Sequence, residues 1–161
     1  MRDPRIPALD PVDRAILDRL QRDALLTAEA LGRAVGLSAS QAGRRRARLE
    51  AAGYVLGSAA RLDPTRLGLS VQAFVQVEMA THAPAKARAF LRMLEARAEV
   101  AGVWTLTGGA DYLLRVWCAD LAALSALIHG TLLPHEAVAR VRSQIVLDQP
   151  KPDGPLPIEG G

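Results

Sequence analysis

The sequence predicts an α+β protein in which a winged helix-turn-helix domain precedes a ferredoxin-like βαββαβ domain. Apolar residues in the first fifty positions recur with the period of a helix, whereas those from Val71 onward alternate as in a strand. Asp63-Pro64 and Gly68 interrupt the chain between the two patterns. With 161 residues, 50% of them hydrophobic, the chain is long enough for two small packed domains. The expected segments are a helix-turn-helix domain (1–54), an extended linker (55–70), a ferredoxin-like domain (71–149) and a Pro/Gly-rich tail (150–161).

Three short helices are expected at the N-terminus. They cover residues 11–23, 27–35 and 38–50, and the first two each carry an apolar stripe at helical spacing. Gly36 lies where the second helix must end. Ser38 can accept a hydrogen bond from a free backbone N–H at the start of the third helix. This is a helix-turn-helix arrangement, in which the third helix enters the major groove of DNA.

The third helix contains four arginines, which suits a helix that contacts DNA. Gln41, Arg44 and Arg48 are spaced i, i+3 and i+7 and share one face. A guanidinium group pairs with phosphate or with the O6 and N7 edge of guanine, and a glutamine amide pairs with adenine. Arg46 occupies a position where an apolar side chain is expected, so its stem should cover the core. The alternative is a basic face exposed only to solvent. The predicted DNA contacts are Ser38, Ser40, Gln41, Arg44, Arg45 and Arg48.

The charge of the chain is unevenly distributed. Residues 1–66 contain 12 arginines and 8 acidic residues, whereas residues 67–161 contain 8 basic and 9 acidic residues. A polyanionic partner is therefore expected for the first half. The single cysteine, Cys118, lies in an apolar run and cannot form an internal disulfide. Neither a signal peptide nor an apolar run of about 18 residues is visible, so a cytoplasmic protein without membrane contact is expected.

The second half predicts a mixed sheet and helix domain. The expected order is a strand over 71–79, a helix opening at Pro84, a strand over 100–107, a tight turn at 108–110, a strand over 112–118, a helix over 121–132 and a last strand over 138–147. This β-α-β-β-α-β order is the ferredoxin-like arrangement. The tail is expected to be ordered only against a neighbouring segment, if at all.

Two helices cover only one face of such a sheet, so the other face needs a partner. Phe74 and Trp117 are expected on it, together with either Trp104 or Val103 depending on the strand register. Pairing of two copies through this face predicts a homodimer.

Two separated blocks of residues give the chain a family resemblance. The first contains Leu9-Asp10 with Asp13, Ile16, Leu17 and Leu20, then Val35-Gly36-Leu37-Ser38, Arg44-Arg45, Arg48-Leu49-Glu50 and Gly53. The second is the turn Thr107-Gly108-Gly109-Ala110-Asp111-Tyr112-Leu113-Leu114. In this order they resemble the Lrp/AsnC family of transcriptional regulators, over nearly all of residues 9–149.

The resemblance implies double-stranded DNA as a partner and an amino acid or similar small metabolite as effector, bound at subunit contacts. It also implies homodimers that assemble into rings as large as an octamer. Carried over residue by residue, the effector site would use Thr107, Gly108, Asp111 and Tyr112. Small glycines let backbone N–H groups approach a carboxylate, and Asp111 could receive an ammonium group. The same residues are also compatible with a plain hairpin turn that Asp111 caps and beside which Tyr112 packs.

A sequence-specific, metabolite-responsive transcriptional regulator is therefore predicted, with no catalysis, cofactor or metal. His82, His129 and His135 lack metal-ligand spacing, and no nucleophile-base arrangement or phosphate-binding loop is visible. Two other functions use a similar two-domain plan or the same arginine helix. One is a nucleoid-organising protein that wraps DNA with little sequence preference, and the other is an enzyme similar to sirohaem decarboxylases.

Overall fold

The structure, a computed structural model, describes residues 8–158. They form two compact units: a helical unit of residues 8–60 and 151–158, and a sheet unit of residues 61–150. The ends of the predicted N-terminal domain and tail, residues 1–7 and 159–161, lie outside the described residues. None of the described helices is long and apolar enough to span a membrane.

The helical unit contains α1 (Pro11–Arg22), α2 (Ala28–Val35) and α3 (Ala39–Ala51), which confirms the predicted helix-turn-helix. The predicted wing is not found, since residues 8–60 and 151–158 contain no strand. Its buried core consists of Ile16, Leu20, Leu31, Ala42 and Leu49. These residues recur at helical spacing, so each helix buries one stripe against the other two.

Side chains at the helix starts satisfy backbone N–H groups that have no partner within the helix. Asp10 caps α1 and forms a reciprocal pair with Asp13. Ser38 caps α3 and forms the corresponding pair with Gln41. Between α2 and α3, Gly36 adopts φ = 71°, a left-handed conformation that glycine accepts without strain. The sharp turn before α3 is thus encoded locally.

The sheet unit contains β1 (Val71–Met79), α4 (Pro84–Glu95), β2 (Val100–Thr105), β3 (Tyr112–Cys118), α5 (Leu121–Leu127) and β4 (Val138–Ile145). The strands lie in the order β2-β3-β1-β4, and each neighbouring pair is antiparallel. The predicted ferredoxin-like order is confirmed. Val75 and Leu114 pack with Phe90 of α4 and Leu127 of α5, so both helices cover the same face.

Two strands are shorter than the apolar pattern predicted. β2 ends at residue 105 and not at 107. The Leu106 N–H still donates to the Asp111 carbonyl (2.9 Å), but residues 107–109 bend into the turn that leads to β3. β4 ends at residue 145 and not at 147. Beyond it, Val146 donates to the Gln72 carbonyl (2.9 Å), and β1 begins only one residue earlier, at Val71. The partner strand therefore sets the length of β4.

The predicted helix over residues 121–132 is not continuous. α5 ends at Leu127, and one π-helical turn follows (Ile128–Leu132). Leu133 donates its N–H to the carbonyl of Ile128 (2.9 Å), five residues back. The wider turn buries Leu132 in the same cluster as Leu127. Apolar spacing alone does not distinguish this turn from a regular helix.

The sheet face opposite the helices, here called the open face, carries three large aromatic residues. Phe74 and Trp117 are half-buried at alternate positions of β1 and β3. The register pairs Val103 with buried Leu114, so Val103 faces the helices and Trp104 lies on the open face, 45% exposed. The choice left open by the sequence is thereby decided in favour of Trp104.

The linker and the tail, which lie outside the two expected domains, differ in the structure they adopt. Residues 55–63 have no regular secondary structure. The tail is ordered against α1 in the helical unit, where Leu156 exchanges two hydrogen bonds with the side chain of Gln21. The neighbour that orders the tail is thus part of the same chain.

Candidate functional site

The exposed side of α3 forms a shallow basic cavity of about 330 Å³. It is lined by Leu37, Gln41, Arg44, Arg45 and Arg48. Four of the six predicted DNA contacts therefore share one surface. The other two, Ser38 and Ser40, are exposed at the start of α3, where free backbone N–H groups favour phosphate.

Two of these arginines are held by Asp10, which caps α1, and by Asp13 within α1. Arg45 contacts Asp10 (2.5 Å) and Asp13 (2.8 Å), and Arg48 contacts Asp13 (2.6 Å). Asp13 is only 2% exposed. The hydrogen bond from Arg45 holds the pKa of Asp10 below its usual value, and the same contact raises the pKa of Arg45. Sequence spacing gave no sign of this cluster, since the acids precede the arginines by more than thirty residues.

The remaining candidates are differently placed. Gln41 accepts hydrogen bonds at Oε1 from the Ser38 N–H and hydroxyl, both at 3.0 Å, so its amide NH₂ stays available to donate. Arg44 is exposed, and among the described residues its side chain forms no ion pair or hydrogen bond. Arg44 is therefore the arginine of this surface best able to meet a new partner.

Arg46 lies on another side of α3 and serves the fold. Its guanidinium donates to the carbonyls of Leu26 (2.9 Å) and Ala24 (3.3 Å) and pairs with Glu50 (2.7 Å). Its stem is half-buried. The predicted covering of the core by this side chain is found, and its charge satisfies carbonyls of the loop between α1 and α2.

The predicted effector turn connects β2 to β3. Asp111 accepts the Met79 N–H at Oδ2 (2.7 Å) and donates its own N–H to the Val77 carbonyl (2.9 Å), which ties the turn to β1. Gly108 adopts φ = 112°, a conformation that few other residues adopt. Tyr112 is buried and packs against Phe90, with ring centroids 5.6 Å apart. Asp111 thus ties the turn to the neighbouring strand β1, and Tyr112 packs on the helical side of the sheet.

A second cavity of about 330 Å³ adjoins this turn on the open face. It is lined by Thr107, Gly109 and neighbouring turn residues, together with Gln76, Glu78, Arg140 and Arg142. Thr107 thus lies at the cavity, whereas Tyr112 faces the helical side of the sheet. Among the described residues, Glu78, Arg140 and Arg142 form no ion pair.

Sequence analysis missed the four strand residues of this cavity. The register pairs Gln76 with Arg142 and Glu78 with Arg140, so the four side chains share one face. The alternation of Arg140 and Arg142 along β4 was visible, but the neighbour of β4 was not. Strand order and register had to be known before these residues could be grouped.

The histidines form no common site. His82 lies 3.6 Å from Asp111, and His135 packs edge-on against Phe90. His129 is exposed. Within residues 8–158 no group of three or more histidine, cysteine or acidic side chains could hold a metal ion.

Two family models match the chain in the order of the two units. The AsnC-type helix-turn-helix domain matches residues 9–50, and the Lrp/AsnC ligand binding domain matches residues 72–156. Together they cover most of the sequence.

Individual relatives match over nearly the whole length. The DNA-binding transcriptional activator DecR of Escherichia coli K12 is 34% identical over 94% of this chain and 99% of its own. The leucine-responsive regulatory protein of the same strain is 32% identical, with coverages of 94% and 92%. A Neisseria meningitidis transcriptional regulator solved as an L-Met complex superposes with a TM-score of 0.90 at 36% identity, over 94% of this chain and 98% of its own.

Proposed function

Because this chain belongs to the Lrp/AsnC family of transcriptional regulators, we propose that it reads operator DNA with α3 and binds an amino acid beside the β2–β3 turn. The relatives are DNA-binding regulators, which confirms the prediction that the chain is not an enzyme. A DNA-binding regulator acts on the chromosome, so we infer a cytoplasmic location. The observation that carries the proposal is the basic surface of α3 within a helix-turn-helix.

The DNA-binding residues fall into three roles. Ser38 and Ser40 approach phosphate at the helix start, and the amide of Gln41 with the guanidinium of Arg44 approaches base edges. Arg45 and Arg48 each form an ion pair with Asp13 and thereby hold α3 in place. We assign to their remaining N–H groups a contact with phosphate. Base contacts give sequence preference, and phosphate contacts give affinity on any sequence.

Selection of bound fragments from genomic DNA tests this reading. A short pseudo-palindrome should be enriched, and binding to it should exceed binding to random DNA by about 10³-fold or more. The variants Gln41→Ala and Arg44→Ala should lose affinity mainly for the selected sequence, and Arg97→Ala in the sheet unit serves as control. Retention without enrichment would instead favour a nucleoid-organising protein.

The open-face cavity suits a zwitterion. Arg140 and Arg142 can pair with a carboxylate, and Glu78 can accept from an ammonium group. Thr107 lines this cavity, and we infer that Gly108 and Asp111 hold the turn in position beside it, while Tyr112 packs on the helical side of the sheet. The L-Met complex of the Neisseria relative supports an amino acid as the ligand class.

Thermal unfolding with a panel of the twenty amino acids tests the effector site. A ligand present at 100 times its Kd should stabilise the protein by about 2.7 kcal/mol, which is visible as a rise in Tm. Arg142→Ala should abolish the rise, whereas Arg92→Ala, an exposed arginine on α4, should retain it. A rise that survives Arg142→Ala would place the ligand elsewhere.

We infer a homodimer formed through the open face, where Phe74, Trp104 and Trp117 lie, with an octamer as a higher assembly. Two recognition helices in such a dimer would enter major grooves about 34–36 Å apart. Sedimentation equilibrium should give a dimer at micromolar concentration, and Phe74→Glu should shift it towards monomer. Leu25→Glu, an exposed leucine of the helical unit, is the matched control.

A further inference from the structure

The helical unit has a groove on a different side of α3 from the basic cavity. It is lined by Leu17 and Leu20 of α1, Arg46 and Glu50 of α3, and Val55 beyond α3. Positions 46 and 50 lie roughly 200° around the helix from positions 44 and 48. A partner in this groove therefore leaves the side chains of Gln41 and Arg44 uncovered.

Residues 156–158 of the tail lie in this groove and complete its lining. The Leu156 N–H donates to Oε1 of Gln21 (2.7 Å), and Nε2 of Gln21 donates to the Leu156 carbonyl (3.0 Å). One side chain amide thus satisfies both polar groups of one backbone residue, as a neighbouring strand would. Such pairing recognises an extended backbone and not a particular side chain.

The side chains supply the specificity that the backbone pairing lacks. Ile158 is half-buried, whereas the side chain of Leu156 is 76% exposed. Ile158 is therefore the apolar anchor, and Leu156 contributes mainly its backbone. Pro155 and Pro157 fix their own φ angles and favour an extended Leu156 between them, so the segment loses little freedom on docking.

About 890 Å³ of open space remains in the groove beside the segment. The segment therefore lines the groove without filling it. We propose that the groove is a peptide-binding site whose occupant is this chain's own C-terminal segment, residues 156–158. Because this segment follows β4 in the sequence, residues 146–155 join the docked segment to the strand that carries Arg140 and Arg142.

Hydrogen exchange of the full chain tests the docking. The Leu156 amide should be protected, and Gln21→Ala or Ile158→Ser should each reduce its protection factor by about tenfold. The matched control, Lys151→Ser, changes an exposed tail residue outside the groove lining and should retain the protection. Equal loss in Lys151→Ser, or an unprotected Leu156 amide in the unchanged protein, overturns the proposal.

Binding of a separate synthetic peptide distinguishes a peptide-binding site from a contact that forms only because the segment belongs to the same chain. The full-length Ile158→Ser protein, in which the tail is released, should bind a synthetic peptide of residues 151–161. The double variant Gln21→Ala/Ile158→Ser should bind it at least about tenfold more weakly. A peptide carrying serine at 158 should not bind. Absence of binding to Ile158→Ser at millimolar peptide, or equal binding to both proteins, contradicts the proposed site.

Discussion

Asp13 is the residue on which the geometry of the recognition helix most depends. A carboxylate that is 2% exposed is tolerated only when paired, and here it meets the guanidinium groups of Arg45 and Arg48. We expect Asp13→Asn to lower the free energy of unfolding by about 2–3 kcal/mol, because two charge-assisted contacts are lost while the cap acceptor remains. Urea unfolding measures this.

The control for that change is Asp18→Asn. Asp18 also pairs with an arginine, Arg22, but on the surface of α1 with the guanidinium 58% exposed. Solvent screens such a pair, so its loss should shift the urea midpoint much less. Equal shifts of the urea midpoint in the two variants would mean that burial of Asp13 does not increase the stabilisation that its ion pairs provide.

Asp10 predicts a pH dependence at the acid end. The Arg45 guanidinium holds the pKa of Asp10 below its usual value of 3.8 in the folded protein. A carboxyl whose pKa is lower in the folded state stabilises the fold above the unfolded value, and this stabilisation disappears as the pH falls through the folded value. The difference in urea midpoint between the unchanged protein and Asp10→Asn should therefore be constant near neutrality and shrink below about pH 4. If the two urea midpoints still differ by the same amount at about pH 2, the Asp10–Arg45 pair is not the cause of the pH dependence.

At the level of single residues, the sequence showed which side chains could bind a ligand or DNA. It did not show which other side chains they contact in the fold. The arginines of α3 were located by spacing and by their place in the motif. Their acids were not, because a contact across thirty or more residues depends on how α1 and α3 cross. For the same reason Glu78 and Arg142 were seen only as separate strand residues until the register joined them.

Gly32 of α2 lies against the backbone of the turn between α2 and α3, and only a residue without a side chain fits there. A Cβ built at Gly32 would lie 2.6 Å from the Leu37 carbonyl oxygen, a backbone atom that cannot rotate away. Gly43 in α3 has only Ala28 Cβ near it, at 3.5 Å, which is ordinary contact. Both positions are helical, so the two substitutions separate steric fit from helix propensity.

We expect Gly32→Ala to destabilise the protein by about 1–3 kcal/mol, because the turn into α3 must shift. Gly43→Ala should stabilise it by about 0.5–1 kcal/mol, since alanine loses less backbone entropy in a helix. Thermal unfolding of both variants measures the difference. A stabilising Gly32→Ala would show that the turn is free to relax.

Elements with a strong local signal could be predicted from the sequence, and those fixed by neighbours could not. The capping side chains and apolar stripes predicted the three N-terminal helices to within one residue at each end. The ends of β2 and β4 depend on which residues pair across the sheet. The π-helical turn after α5 depends on burying Leu132, which no local pattern shows.

The molecule as a whole has a DNA-binding unit that is discontinuous in sequence. Its helices come from the N-terminus and its last segment from residues 151–158. Sequence analysis described these residues as a tail, because two apolar side chains among prolines and glycines carry no periodicity. Their place became visible only from the hydrogen bonds between Gln21 and Leu156.

The uneven charge of the two units predicts how DNA affinity depends on salt. Each phosphate contact formed by a basic side chain steepens the slope of log affinity against log salt by about 0.9. Arg48 is 53% exposed on the proposed DNA surface and is assigned to phosphate, so Arg48→Ala should flatten the slope by about 0.9 for each recognition helix. Arg97→Ala removes the same charge from an exposed position of the sheet unit and should leave the slope unchanged. Fluorescence anisotropy with one operator fragment between about 50 and 200 mM salt gives both slopes. If Arg97→Ala flattens the slope as much as Arg48→Ala, net charge and not the surface of α3 governs binding.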